Sequence, residues 1–271
     1  MVAPVDKDEM PFVANCRPLT VTAPFRWLSA GLKDFRDAPK QSLVYGVSVA
    51  IITAVVVALA WNRGSQWILY AMLGGFVFMA PLCCVGLYAI SAQLERGQAP
   101  SITRSFRAAF RRHIGNEMVF ALVLLVIFLV WARAAIMVTV FFPTDGDASA
   151  GELAAFLGIG TTVGALFAGV TFSASAFSLP MLVHRDVDSV TAIVSSINAV
   201  LRNIPAMLVW LTLVVGGLLL GIATACVGLV VIVPLIGYGA WHGYLETIEA
   251  DEFPRHTVGI TSTPRDTPSV S

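Results

Sequence analysis

Long apolar runs in this chain alternate with shorter segments in which apolar residues recur every three or four positions. The stretch from Ser178 to Trp210 contains the pattern once: the end of an apolar run, a charged link, an amphipathic segment, then Pro205 and another apolar run. A run of about 20 apolar residues predicts a helix that crosses a bilayer, and an amphipathic segment beside it predicts a helix at the membrane surface. We therefore expect an all-α, polytopic membrane helical bundle.

Three amphipathic segments are predicted to be interfacial helices. The first, ended by Pro39, has an apolar stripe opposed by charged residues: Phe25, Leu28, Leu32 and Phe35 against Arg26, Lys33, Asp34 and Arg36. The second begins at Ser101 and carries four arginines and no acid before Asn116: Arg104, Arg107, Arg111 and Arg112. The third alternates large apolar residues with serines and asparagines: Val190, Ile193, Val194, Ile197, Leu201 and Ile204, with Ser189, Ser195, Ser196, Asn198, Arg202 and Asn203 largely between them.

Six membrane spans are predicted, at residues 42–61, 67–92, 118–142, 152–183, 205–222 and 226–244. The last two come from one 41-residue apolar stretch, Ile204 to Tyr244. A single helix of that length would reach ~60 Å, about twice the hydrocarbon core of a bilayer, so the stretch must fold back. The expected turn contains Gly216, Gly217, Gly221 and Thr224.

The order of elements suggests an internal repeat within a single membrane domain at residues 22–246. Each unit consists of an interfacial helix, a span, and a second span that contains one proline, namely Pro81, Pro180 or Pro234. The units are roughly residues 22–92, 99–183 and 186–244, and they predict a pseudo-threefold arrangement about the membrane normal. Coincidence among apolar segments is the alternative. Residues 1–21 and 247–271 are aperiodic and polar, and we expect them to be disordered tails.

The distribution of charged residues predicts how the spans are oriented in the membrane. The 271 residues have zero formal net charge and only 13% charged residues, and mean hydropathy is +0.79. Neutrality does not suggest nucleic acid as a partner. Fifteen of the 17 Lys and Arg residues fall on one side of the predicted spans, against Arg63 on the other and Arg133 within a span. The positive-inside rule then predicts an inner-membrane protein with both termini in the cytoplasm, and anionic phospholipid beside the second interfacial helix.

Few residues suggest chemistry. Arg133 lies inside a predicted span, where Glu152, backbone carbonyls or a lipid phosphate could pair with it; a structural, snorkelling role is the alternative to an anion or lipid site. The prolines at positions 81, 180 and 234 could line a cavity or simply kink their helices. Arg185, Asp186 and Asp188 are expected to form a structural link that caps the following helix. No catalytic constellation, metal-ligand spacing or cofactor site is evident, so we expect no enzyme activity.

Several stretches combine rare polar positions with apolar residues, and together they cover roughly residues 20–246: Arg26-Trp27-Leu28, Gly86-Leu87-Tyr88, Ser178-Leu179-Pro180-Met181-Leu182, Arg202-Asn203 and Trp241-His242 among them. These stretches resemble the bacterial integral membrane proteins of domain of unknown function 2189. The family has no established activity, although some relatives carry a cytochrome c oxidase subunit I label. The four histidines (His113, His184, His242 and His256) are too few for the haems and copper of such an oxidase.

Three function classes remain open from the sequence. Because polar groups are scarce in the spans, we favour a non-enzymatic membrane component that organises, assembles or senses something through its interfacial helices. The alternative is a small-solute or lipid transporter that uses the proline-broken helices and Arg133. The third class is an accessory subunit of a respiratory oxidase.

Overall fold

The computed structural model describes residues 11–63, 81–103, 114–140 and 149–254, which are almost entirely helical. The helices are α1 (Ala23–Asp37), α2 (Pro39–Arg63), α3 (Val85–Glu95), α4 (Ile114–Val140), α5 (Ala150–Ser175), α6 (Ser178–His184), α7 (Ser189–Arg202), α8 (Ile204–Ala223) and α9 (Leu229–Thr247). Two short strands, β1 (Asn15–Cys16) and β2 (Ile248–Glu249), form an antiparallel pair.

Five stretches of the described helices are long and apolar enough to cross a membrane: Pro39–Leu59, Met118–Val138, Ala150–His184, Ile204–Ala223 and Leu229–Thr247. Their outward side chains are large and apolar; Leu122, Leu166 and Leu219 are each more than half exposed. Such a surface is stable against lipid and not against water. The all-helical membrane bundle is therefore confirmed, while the count of six stays a prediction because most of residues 67–92 lies outside the described part.

The predicted fold-back is present between α8 and α9, but the glycines do not form its turn. Gly216, Gly217 and Gly221 all lie within α8, and the reversal uses the positive φ angles of Ala225 (52°) and Cys226 (68°). A Cβ on Gly221 would lie 2.3 Å from Leu229 Cδ2. Glycine at position 221 therefore leaves room for the Leu229 side chain where the two helices approach each other next to the turn.

The predicted disordered tails are wrong where the structure describes them. Asn15 pairs with Glu249 in the β1–β2 ladder, and Ala14 and Phe253 are 1% and 2% exposed. The backbone N–H of Ala14 donates to Ser195 Oγ at 2.9 Å. These partners lie about two hundred residues away along the chain, so the segments have no local periodicity from which their order could be predicted.

Three helices of the bundle contact one another: α3, α6 and α9 each contact the other two. Each belongs to the second, proline-containing span of a predicted unit. Around them, α1 packs mainly on α9, and α7 packs on α5 and α6, so each of these predicted interfacial helices lies against the second predicted span of another predicted unit. This arrangement is compatible with the threefold repeat, which stays a prediction.

Candidate functional site

Helix α1 has three distinct faces. The first packs against α9 and contains the buried residues of the helix: Ala23, Pro24, Trp27, Gly31 and Asp34. The second is the predicted apolar stripe, of which Phe25 is 56% exposed and Leu32 is 37% exposed. The third carries exposed charged side chains such as Lys33 and Arg36. The sequence prediction that Asp34 belongs to the charged face is therefore wrong, because Asp34 lies seven residues after Trp27 and shares its buried face.

The buried face of α1 lies directly on the backbone of α9. A Cβ on Gly31 would be 2.9 Å from both the amide nitrogen of Gly239 and the carbonyl oxygen of Leu235. Trp27, which is 1% exposed, packs edge-to-face against Phe177 at 6.2 Å and Trp210 at 5.5 Å between ring centroids. Glycine at position 31 therefore permits the close crossing that brings the polar side chains of the two helices into contact.

A buried carboxylate joins three helices at this crossing. Asp34 Oδ2 accepts a hydrogen bond of 2.6 Å from Ser91 Oγ on α3, and His242 Nε2 on α9 lies 2.9 Å from the same oxygen. Asp34 is 7% exposed and is the one buried acid among the described residues. Burial of a carboxylate is costly unless it is paired and hydrogen-bonded. We therefore consider Asp34, Ser91 and His242 the candidate functional site.

A second carboxylate clamps the same helix pair one turn further along α9. Trp27 Nε1 donates to Glu246 Oε2 at 2.9 Å, and Arg26 forms an ion pair with the other carboxylate oxygen of Glu246. His242 and Glu246 are four residues apart and therefore share a face of α9. Together the two carboxylates fix both the position and the rotation of α1.

The arrangement at Asp34 favours positioning over catalysis. Ser91 and His242 both bond to the carboxylate, so a nucleophile–base relay would require a Ser91–His242 contact that the hydrogen bonds of this cluster do not include. Nearby, Ser42 Oγ donates to the carbonyl oxygen of Ala38 at 2.7 Å and lies 2.8 Å from the hydroxyl of Tyr238. These bonds satisfy buried polar atoms where α1, α2 and α9 meet.

The predicted link between α6 and α7 has a structural role in the described chain. The Arg185 side chain is 6% exposed and donates to the carbonyl oxygen of Phe253 at 2.8 Å and to Asp251 at 2.9 Å. The backbone N–H of Asp186 donates to the carbonyl oxygen of Pro254 at 2.9 Å, although its side chain is exposed. These three bonds anchor the segment that follows β2.

Asp188 is the N-cap of α7, as predicted. Its Oδ1 accepts from the backbone N–H groups of Val190 and Thr191, each at 2.9 Å. Partial burial raises the pKa of this carboxyl, but the hydrogen bonds from Thr191 and Val190 outweigh burial and lower the pKa below its usual value.

Neighbouring helices cover the backbone at two of the three prolines. Pro234 cannot donate to the carbonyl of Val230, and that oxygen lies so close to Gly46 of α2 that a Cβ there would be 2.0 Å away. Before Pro180, the chain breaks between α5 and α6, and Ser196 of α7 spans the break: it accepts from the Phe177 N–H at 3.0 Å and donates to the Ser173 carbonyl at 2.7 Å.

Pro81 begins a described stretch, and the residue four positions before it lies outside the description. At Pro180 and Pro234, neighbouring helices therefore cover the interrupted backbone. This packing favours the kink over the cavity, the two roles considered for the prolines.

Arg133 and Glu152 are not brought together. Arg133 is exposed on α4, and none of the ion pairs among the described residues includes it. Glu152 instead forms a capping box with Ser149, accepting from its backbone N–H at 2.8 Å. Of the three partners considered for Arg133, a lipid phosphate reached by snorkelling stays a prediction. The cluster Arg104, Arg107, Arg111 and Arg112 lies outside the described residues.

Sequence reasoning missed the Asp34, Ser91 and His242 cluster. A signal was present, because Trp27, Gly31 and Asp34 follow a spacing of four and three, and His242 and Glu246 are four apart on the last span. The aromatic–glycine–acid register indicated a second, inward face on α1 besides the apolar stripe.

Comparison with known proteins finds a matching family model. No curated protein and no solved structure matches the chain. The matching family model is described as predicted integral membrane protein (DUF2189), and it covers a shorter stretch than the resemblance drawn from the sequence. The resemblance is confirmed over residues 68–184, where the chain is similar to this family of predicted integral membrane proteins.

Proposed function

We propose that this integral membrane protein is a non-enzymatic component of the bacterial inner membrane that organises, assembles or senses its surroundings through its interfacial helices. The lipid beside those helices is its first partner. This proposal rests mainly on which faces of α1 and α7 are buried against protein and which are exposed.

Helix α7 buries its small polar face and leaves its large apolar face uncovered. Ser195 and Ser196 are 0% exposed, whereas Val190 is 50% and Leu201 is 60% exposed. In water this division would be unfavourable, because hydroxyls would be desolvated and apolar side chains hydrated. In lipid it is favourable, since the serines bond to protein partners and the large side chains face acyl chains.

Helix α1 presents its apolar stripe in the same way, while carboxylates on both sides of the crossing hold it in place. A stripe that is anchored to protein and uncovered can act as a docking element for lipid or for another membrane component. The uncovered apolar stripe on an anchored helix is the observation that carries the proposal, and Asp34 with its two partners provides the anchor.

The finer topology belongs to the same proposal. The distribution of basic residues supports cytoplasmic termini, six spans and cytoplasmic interfacial helices, and the arginines at positions 104, 107, 111 and 112 would face anionic phospholipid. The mutual contact of α3, α6 and α9 supports a threefold repeat. The transporter alternative has less support than this proposal, because neighbouring helices cover the backbone at Pro180 and Pro234.

Labelling at two positions of α1 tests the orientation of the helix. We would replace the four native cysteines, introduce Phe25→Cys or Lys33→Cys, attach an environment-sensitive fluorophore and reconstitute the full chain. We expect quenching of the Phe25 label by lipid-borne nitroxide and of the Lys33 label by aqueous iodide. Equal quenching of both labels by iodide would contradict the proposal.

A matched pair of variants tests the role. Phe25→Glu and Ser29→Glu each add one negative charge to an exposed position of α1. After purification in mild detergent, an organising role predicts that Phe25→Glu loses lipids or proteins that co-purify in fixed ratio with the wild type, and that Ser29→Glu retains them. Identical retention in both variants would refute it.

A further inference from the structure

Exposed basic residues on α1 and at its joint with α2 differ in whether an acid neutralises them. Arg17 and Arg26, which are 52% and 53% exposed, form ion pairs with Glu249 and Glu246. Lys33, Arg36 and Lys40 are also exposed, but none of the ion pairs among the described residues includes them.

Local electrostatics disfavour this basic strip, which we define as Lys33, Arg36 and Lys40. Lys33 and Arg36 lie three residues apart on α1, where like charges repel each other. Lys40 also lies in the first turn of α2, which contains no acidic residue, and a cation at a helix N-terminus is unfavourable. Arg36, in the last turn of α1, does complement that helix end. Asp37, which lies in the same turn, is not within ion-pair distance of the strip.

Uncovered apolar side chains lie immediately beside the strip. Leu32 precedes Arg36 by one turn and is 37% exposed, and Leu43 and Val44 follow Lys40 by one turn and are 44% and 54% exposed. The surface therefore changes from basic to apolar within one turn of the α1–α2 joint. A lipid with a negative headgroup and apolar tails matches a surface that changes from basic to apolar in this way.

We propose that the basic strip binds the phosphate of an anionic phospholipid whose acyl chains lie against Leu32, Leu43 and Val44. The site rests on the proposed function, because it requires α1 to lie at the membrane surface. It is separate from the arginine-rich second interfacial helix and assigns a second lipid contact to the chain.

Native mass spectrometry of the full-length protein released from nanodiscs of phosphatidylcholine and phosphatidylglycerol tests the site. We would compare K33Q/R36Q with the wild type, and R36Q with R17Q, since each of these single variants removes one exposed positive charge. We expect K33Q/R36Q to retain one phosphatidylglycerol fewer than the wild type, with an affinity loss of about fivefold for each charge removed. We expect R17Q to retain the wild-type number.

The charge-conserving variant K33R/R36K and a thermal melt of each protein serve as controls for folding. K33R/R36K should retain the lipid. Unchanged phosphatidylglycerol retention in K33Q/R36Q, or a loss in R17Q equal to that in R36Q, would overturn the site. If the Phe25 label lies in lipid while K33Q/R36Q retains its phosphatidylglycerol, this inference fails and the proposed function stands.

Discussion

Replacement of Trp27 should reveal how much of the stability of the protein depends on the docking of α1. The ring is 1% exposed, contacts Phe177 and Trp210 edge-to-face, and its Nε1–H donates to Glu246. Truncation of a buried tryptophan to alanine costs about 3–5 kcal/mol. We therefore expect Trp27→Ala to lower the free energy of unfolding by about that amount.

Trp27→Phe separates the hydrogen bond from the packing. It keeps an aromatic ring in the pocket but leaves the Glu246 carboxylate without the indole donor, and a hydrogen bond to a charged group is worth about 1.5–3 kcal/mol. A double-mutant cycle with Glu246→Gln should then show a coupling energy of about 1 kcal/mol or more, because the two side chains are in direct contact.

The assay is unfolding of the purified full-length protein in mixed micelles of mild detergent and dodecyl sulfate, followed by far-UV circular dichroism. Trp131→Phe is the matched control, since Trp131 is half-buried on α4 and stacks on Phe128 at 5.8 Å. We expect this control to cost less than about 1 kcal/mol. A Trp27→Ala variant as stable as the control, or strictly additive effects of Trp27→Phe and Glu246→Gln, would refute the reasoning.

Three further predictions concern contacts elsewhere in the bundle. Gly46→Ala places a Cβ 2.0 Å from the carbonyl oxygen of Val230 and should cost about 1–3 kcal/mol in the same assay, whereas Gly216→Ala, with nothing within 4 Å, should not destabilise. Ser196→Ala should cost about 1–3 kcal/mol and speed hydrogen exchange at the break between α5 and α6. Asp188→Ala should cost about 1 kcal/mol at neutral pH. Because the pKa of Asp188 is lowered in the fold, this contribution is present above about pH 4 and is lost as the pH falls through the lowered pKa, and Asp188→Asn should remove that pH dependence.

Local patterns in the sequence were sufficient to predict several of the long helices that the structure describes. The run of apolar residues from Ile204 to Tyr244 predicted two helices with a reversal near Thr224, and the structure has α8 and α9 with the turn between Ala223 and Leu229. The cap at Asp188 was likewise predicted from residues adjacent to it. Such features depend on partners within one or two helical turns, which a sequence pattern contains.

The candidate site depends on partners far apart along the chain, and local patterns could not place it. Asp34 meets Ser91 and His242, which lie 57 and 208 positions away. The β1–β2 pair joins residues more than two hundred positions apart in the same way. For α1, periodicity indicated one apolar face, yet the helix has two faces that avoid water, one against protein and one uncovered.

Side-chain size separates these two faces, and the physics of the bilayer explains why. Between helices in lipid there is little hydrophobic driving force, because acyl chains are as apolar as leucine, so close packing and hydrogen bonds must provide the attraction. Gly31 permits the close packing of α1 on α9, and Asp34 and Glu246 provide the hydrogen bonds. Large side chains such as Phe25 would obstruct that approach and are placed outward. On α1, small and polar residues therefore mark contact with protein, and the proposed function places the large apolar residues against lipid.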